Sequence, residues 1–229
     1  MAAEFRKEAA ELERIASFLR QRADLLDKET KPQVTPEVQP APEVDLKAEW
    51  ERQVKRLLGL GFHEELGMTE AAYRNSIPEF LPQPEEYKGR FDIPLIVETR
   101  IPLKRQHQLA GIPEYIDTDN IENLTPVPDK PYTIWTHDAN RYRRLSVERA
   151  TVQFSEDEVG SPQFEVTALY LHKPFNNRGV DAAGSRFESG DAPYLNVFRG
   201  EPGVYSDWID DPGGDWGALS RGSQINLGS

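Results

Sequence analysis

Four aspartates crowd the stretch YLNVFRGEPGVYSDWIDDPGGDWGALSR, residues 194–221: Asp207, Asp210, Asp211 and Asp215. Carboxylates are hard oxygen ligands, and the Pro-Gly-Gly turn at 212–214 offers a bend that would gather them around calcium or magnesium. A divalent cation is the one cofactor these residues suggest. Their spacing does not follow the calcium loop that alternates acids and ends in a bidentate glutamate. Aspartate and glycine also abound in turns for local reasons, so turn formation is the competing reading. Trp208 and Trp216 lie in the same stretch with Tyr205. Rings beside carboxylates suit a sugar or another small polar ligand, whereas a tryptophan at a core edge serves as an anchor.

Two further groups of side chains carry potential chemistry. His137 and Asp138 follow a strand-like run, and strand ends are where general bases are often mounted; a solvated loop pair is the alternative. Ser185 and Arg186, flanked by glycines in GVDAAGSRFESGD, could cradle an anion through backbone amides and a forked guanidinium contact. The alternative there is a flexible surface loop. The histidines His63, His107, His137 and His172 accompany no nucleophile elbow, metalloprotease pair or phosphate-binding glycine-lysine loop. No catalytic residue is assigned on this basis, and a non-enzymatic role is favoured.

Composition narrows the classes. A net charge of -12 argues against nucleic acid as the main partner, since phosphate binding relies on a basic face. The short basic run RYRRLSVER, 141–149, contains Glu148 and reads as solvated surface. With no cysteine, disulfides, thiolate nucleophiles and iron-sulfur clusters are excluded. The first residues interleave charges with apolar positions, unlike a secretory signal, and no run approaches the ~18 apolar residues of a membrane span. The expectation is a cytoplasmic protein with neither a membrane nor a nucleic-acid partner.

The elements that would position these residues begin with an amphipathic helix over 1–28. Phe5, Leu12, Leu19 and Leu26 recur every seven residues, and Ile15, Phe18 and Leu25 widen the stripe. Such a helix either packs on its own domain or self-associates as a coiled coil. Residues 29–45 carry Pro32, Pro36, Pro40 and Pro42 and form a semi-stiff spacer, which favours self-association or a protein partner for the arm.

Over 46–229 the patterns predict an α+β domain, a mixed sheet with short flanking helices. Trp50, Val54, Leu57 and Leu58 make one helical face; Thr69 caps a second helix; Pro102 and Gly111 bracket another. Strands are expected at 93–97, 114–117 and 132–136. Ser146 starts a short helix, and Phe164, Ala168, Leu169 and His172 mark a longer one. Residues 176–191 are too polar and glycine-rich for an element, and YLNVF with GVYSDWI makes a hairpin before a tryptophan-pinned tail.

The opening EWERQVKRLLGLGFHEELGMTEAAYRNSI, with PYTIWTHD, LSVERA, AGSR and WGALSRG, resembles an uncharacterised bacterial family over about 49–222. The resemblance implies no activity and no site. Two functions therefore stand as expectations: a non-enzymatic binding or interaction protein acting through its N-terminal helix, or a small-molecule or carbohydrate binder or hydrolase using the acidic aromatic C-terminal loop.

Overall fold

The computed structural model describes residues 44–228. The association helix expected from Phe5, Leu12, Ile15, Leu19 and Leu26 lies outside the described residues. Asp45 caps α1, Leu46–Gly59, accepting from Ala48 N at 3.0 Å, with Glu49 complementing the positive end of the helix. Trp50, Gln53, Val54 and Leu57 form its buried stripe. Two short helices follow, α2 Phe62–Glu65 and α3 Glu70–Asn75; the Thr69 hydroxyl caps the latter by accepting from Ala72 N. After β1, Ile93–Val97, Pro102 precedes α4, Leu103–Ala110, and Gly111 ends it at φ 68°.

The remaining elements are β2 Glu122–Asn123, β3 Tyr132–Thr136, α5 Val147–Thr151, β4 Glu158–Gly160, α6 Gln163–His172, β5 Arg178–Ala182, β6 Ser185–Arg186, β7 Ala192–Phe198, β8 Glu201–Asp207 and β9 Gly217–Gly222. One sheet runs in the order β1-β3-β9-β5-β7-β8, with β4 also paired to β9, and β2 with β6 forms a separate ribbon. All of its pairs are antiparallel except β5 with β9. The architecture is α+β with a mixed sheet and short helices, as the patterns predict.

Strand alternation divides the sheet between two covers. Val180, Leu195, Val197 and Leu219 join the main core with Val166 and Leu169 of α6, a helix enclosed on nearly every side. Asp181, Ala192 and Ala218 point the other way, where α5 and the turn at Asn140–Tyr142 bring Tyr142, Val147 and Ala150 against Ala183, Ala192 and Ala218. Both outer strands are occupied. On β1, the Gln53 amide donates to Pro94 O and accepts from Ile96 N, each at 2.8 Å, as a neighbouring strand would. On β8, Tyr115 N donates to Val204 O and Val204 N to Pro113 O.

Three expectations are corrected. The segment 176–191 is not a loop: it holds β5 and β6, because its glycines and buried polar groups answer to partners far away in sequence. The strand expected at 114–117 reduces to a single bridge between Glu114 and Val204. The tail beyond the hairpin contains β9, paired with β3, β4 and β5. The hairpin itself forms, turning on Arg199 and Gly200 at φ 53° and 85°, the geometry of a type I′ turn. No described helix is long and apolar enough to cross a membrane.

Candidate functional site

On the sheet face opposite α6, strand register brings three side chains into line: Asp181 of β5 lies opposite Tyr194 of β7, which lies opposite Tyr205 of β8. The rings extend into a row. Tyr115 stacks on Tyr205 with centroids 4.6 Å apart and planes 6° from parallel; Tyr205 and Tyr194 are 5.5 Å apart; Tyr194 and Trp216 are 4.2 Å apart. Glycines make room for this row. A Cβ on Gly203 would meet the Tyr205 and Tyr115 rings, and one on Gly179 would stand 2.6 Å from Cδ1 of Trp216. Tyr115, 64% exposed, presents the outer end of the row, and Trp216 closes the inner end half-buried. Trp208, also singled out by sequence, is 70% exposed.

Asp181 sits beside this row, only 7% exposed, and its carboxylate accepts no hydrogen bond from any described residue. Burial pushes its pKa up to about 7; Asp207 and Asp211 add to the rise, and Arg186 opposes it. Sequence reasoning passed over both Asp181 and Tyr115. The available signal was the alternation Gly-Val-Asp-Ala at 179–182, a strand pattern that places an acid on one face.

Three of the four aspartates proposed as metal ligands are engaged within the chain. Asp207 accepts from Trp208 N at 2.8 Å, and Asp211 from Gly213 N at 3.0 Å. Asp215 pairs with Arg143 at 3.0 Å and Arg144 at 3.6 Å, while Asp210 is exposed. Among the described residues no group of three or more His, Asp or Glu side chains is gathered in a form that could hold a metal ion. Asp211, by accepting from Gly213 N, helps order the Pro-Gly-Gly bend.

His137 and Asp138 part company. Asp138 accepts from Asn140 N at 3.1 Å, whereas His137 turns inward. Its Nδ1 accepts from Ala139 N at 2.8 Å, so Nε2 carries the proton and donates to Ser220 Oγ at 2.8 Å. The Ser220 amide, 3.3 Å from Nε2, is the longer and weaker approach. Ser220 in turn donates to Glu158 Oε1, which also accepts from Tyr142 OH at 2.8 Å. Burial pushes His137 down to about 4. A serine, a histidine and a glutamate are thus in contact, wired in the reverse of a nucleophilic triad: the imidazole donates to the hydroxyl instead of accepting from it. Burial opposes ionisation of Glu158, yet the two hydroxyls keep its pKa below the usual carboxylate value. The cluster ties β3, β4 and β9 together.

Ser185 is buried and accepts from Gln163 N at 3.0 Å while donating to Asn123 Oδ1 at 3.0 Å, so it anchors the start of α6. Arg186 donates through Nη1 to Ser185 O at 2.6 Å and Ala183 O at 3.3 Å. Nearby, Gly184 and Gly160 approach too closely for any side chain. Sequence therefore located Trp216, Asp207, Asp211 and Arg186 near the aromatic face, while Ser185, His137 and Asp138 belong to other parts of the fold. No family model, curated protein or solved structure matches the chain.

Proposed function

We propose that this chain is a non-enzymatic binding protein whose ligand docks on the aromatic and acidic face formed by Tyr115, Tyr205, Tyr194, Trp216 and Asp181. The observation that carries this reading is the four-ring row, held over glycines and ending in the exposed Tyr115. Stacked rings flanked by carboxylates suit a small polar ligand. The His137–Ser220–Glu158 cluster supports the non-enzymatic side, since its histidine already donates to the serine and is held neutral. Calorimetric titration with a glycan panel tests the reading: binding weakened in Tyr205→Ala and Tyr115→Ala supports it, and no heat with any glycan counts against it.

A second reading concerns residues 1–28, whose sevenfold spacing of Phe5, Leu12, Leu19 and Leu26 suits self-association or docking on a protein partner. It is favoured by the covered sheet edges, Gln53 on β1 and Pro113–Tyr115 on β8, which leave the body few unpaired strand groups to offer another copy. Light scattering on the full chain and on a chain beginning at residue 46 tests it. A monomer in both overturns self-association. The resemblance to an uncharacterised bacterial family and a cytoplasmic location fit either reading without selecting one.

A further inference from the structure

A carboxyl group nine-tenths buried without a hydrogen-bond partner is costly, and such groups persist where a partner completes them. Asp181 is in that position: 7% exposed and with no donor among the described residues. The cation nearest in effect, Arg186, has its Nη1 committed to the carbonyls of Ser185 and Ala183. Asp207, half-buried, and Asp211, exposed, are the other groups whose charge acts on Asp181, both pushing its pKa up.

We infer that Asp181 is the anchoring carboxylate of a binding site for an organic cation, an ammonium or guanidinium group, beside the rings of Tyr194 and Trp216. This rests on the ligand-binding reading above and adds the charge of the ligand. Tyr194 is the cross-strand partner of Asp181, and Trp216 is 4.2 Å from Tyr194. Aromatic rings next to a carboxylate are the usual recognition chemistry for such cations, the ring attracting the charge and the carboxylate accepting its N–H. The surrounding carboxylates repel anions, and the absence of any three-ligand group among the described residues disfavours a bare divalent metal.

The test is calorimetric titration of the full chain with n-butylammonium and methylguanidinium chlorides, against sodium chloride at matched ionic strength. Saturable binding of either organic cation is expected, weakened at least about tenfold in Asp181→Asn and unchanged in Asp210→Asn, an exposed aspartate of the same stretch. Asp181→Asn should also melt no lower than the parent near pH 8, which separates loss of the site from loss of the fold. Equal binding in Asp181→Asn, or no response beyond that to sodium, overturns the inference. Should Asp181→Asn not fold, intermolecular nuclear Overhauser effects decide the matter on the unaltered chain: transfer from n-butylammonium to the Trp216 indole supports the site, and its absence rejects it. Glycan binding without a response to either cation overturns the charge assignment and leaves the ligand-binding reading standing. Silence with both kinds of probe removes both.

Discussion

The indole of Trp216 rests on Gly179, with its Cδ1 atom only 2.6 Å from where a Cβ on that glycine would stand. A ring from just before β9 therefore dictates the residue in the neighbouring strand. Gly179→Ala is expected to dislodge the indole at a cost of about 1–3 kcal/mol. Urea unfolding followed by tryptophan fluorescence measures this, and the loss should shrink when Trp216→Leu is combined with it. An equal loss in both backgrounds would contradict the contact.

Gln53 provides a second prediction. Gln53→Leu keeps the volume but strips the partners from Pro94 O and Ile96 N on β1. Each unmet buried group costs about 1–3 kcal/mol, so a loss of several kcal/mol is expected by denaturant titration. A change within about 0.5 kcal/mol would mean that water replaces the amide.

Glu165 and Arg221 form a buried ion pair at 2.7 Å, and Tyr132 OH donates to the same oxygen, Oε1, at 2.9 Å. Arg221→Met strands the carboxylate and is expected to cost about 3–5 kcal/mol, whereas Glu165→Leu with Arg221→Met should recover most of it. Thermal melts of the single and double variants decide.

The pH profile contains opposed contributions, with His172, lowered by burial to about 3, acting in the same direction as His137. Folding lowers His137 from 6.5 to about 4, so between those values the unfolded chain binds the extra proton and stability is lost as pH falls. Folding raises Asp181 from 3.8 to about 7; in that window the folded chain holds the extra proton, and stability is lost as pH rises. Asp181→Asn should therefore stabilise the fold near pH 8, by at most about 4 kcal/mol, raising its melting temperature there and leaving it almost unchanged near pH 4. Melts across this range check it; a parallel offset at every pH would show that the carboxylate charge is not the cause.

Much of the fold is legible where a residue's role is decided nearby. Thr69 and Ser146 cap the helices they precede, Gly111 ends the one before it, and the apolar runs of β1 and β3 announce strands. β5 and β9 escape because Gly179, Asp181, Ser220 and Arg221 read as polar loop until Trp216, Glu158 and Glu165 are known to lie beside them. The candidate site divides the same way. Tyr205 and Trp216 stand out as a local cluster, but Tyr115 and Asp181 join them only through strand register and the bridge at Val204, which no window of contiguous sequence contains.

Among the described residues β9 is the sole strand that links the β1–β3 half of the sheet to the β5–β7–β8 half, although it is the last described strand. During synthesis both halves leave the ribosome before the segment that joins them. The sheet can be completed only after nearly the whole body has been made, so a chain stopped at residue 216 would carry two sheet fragments with open strand edges, joined through the shared core around α6 but not by strand pairing, a target for proteolysis or aggregation rather than a shortened version of the fold.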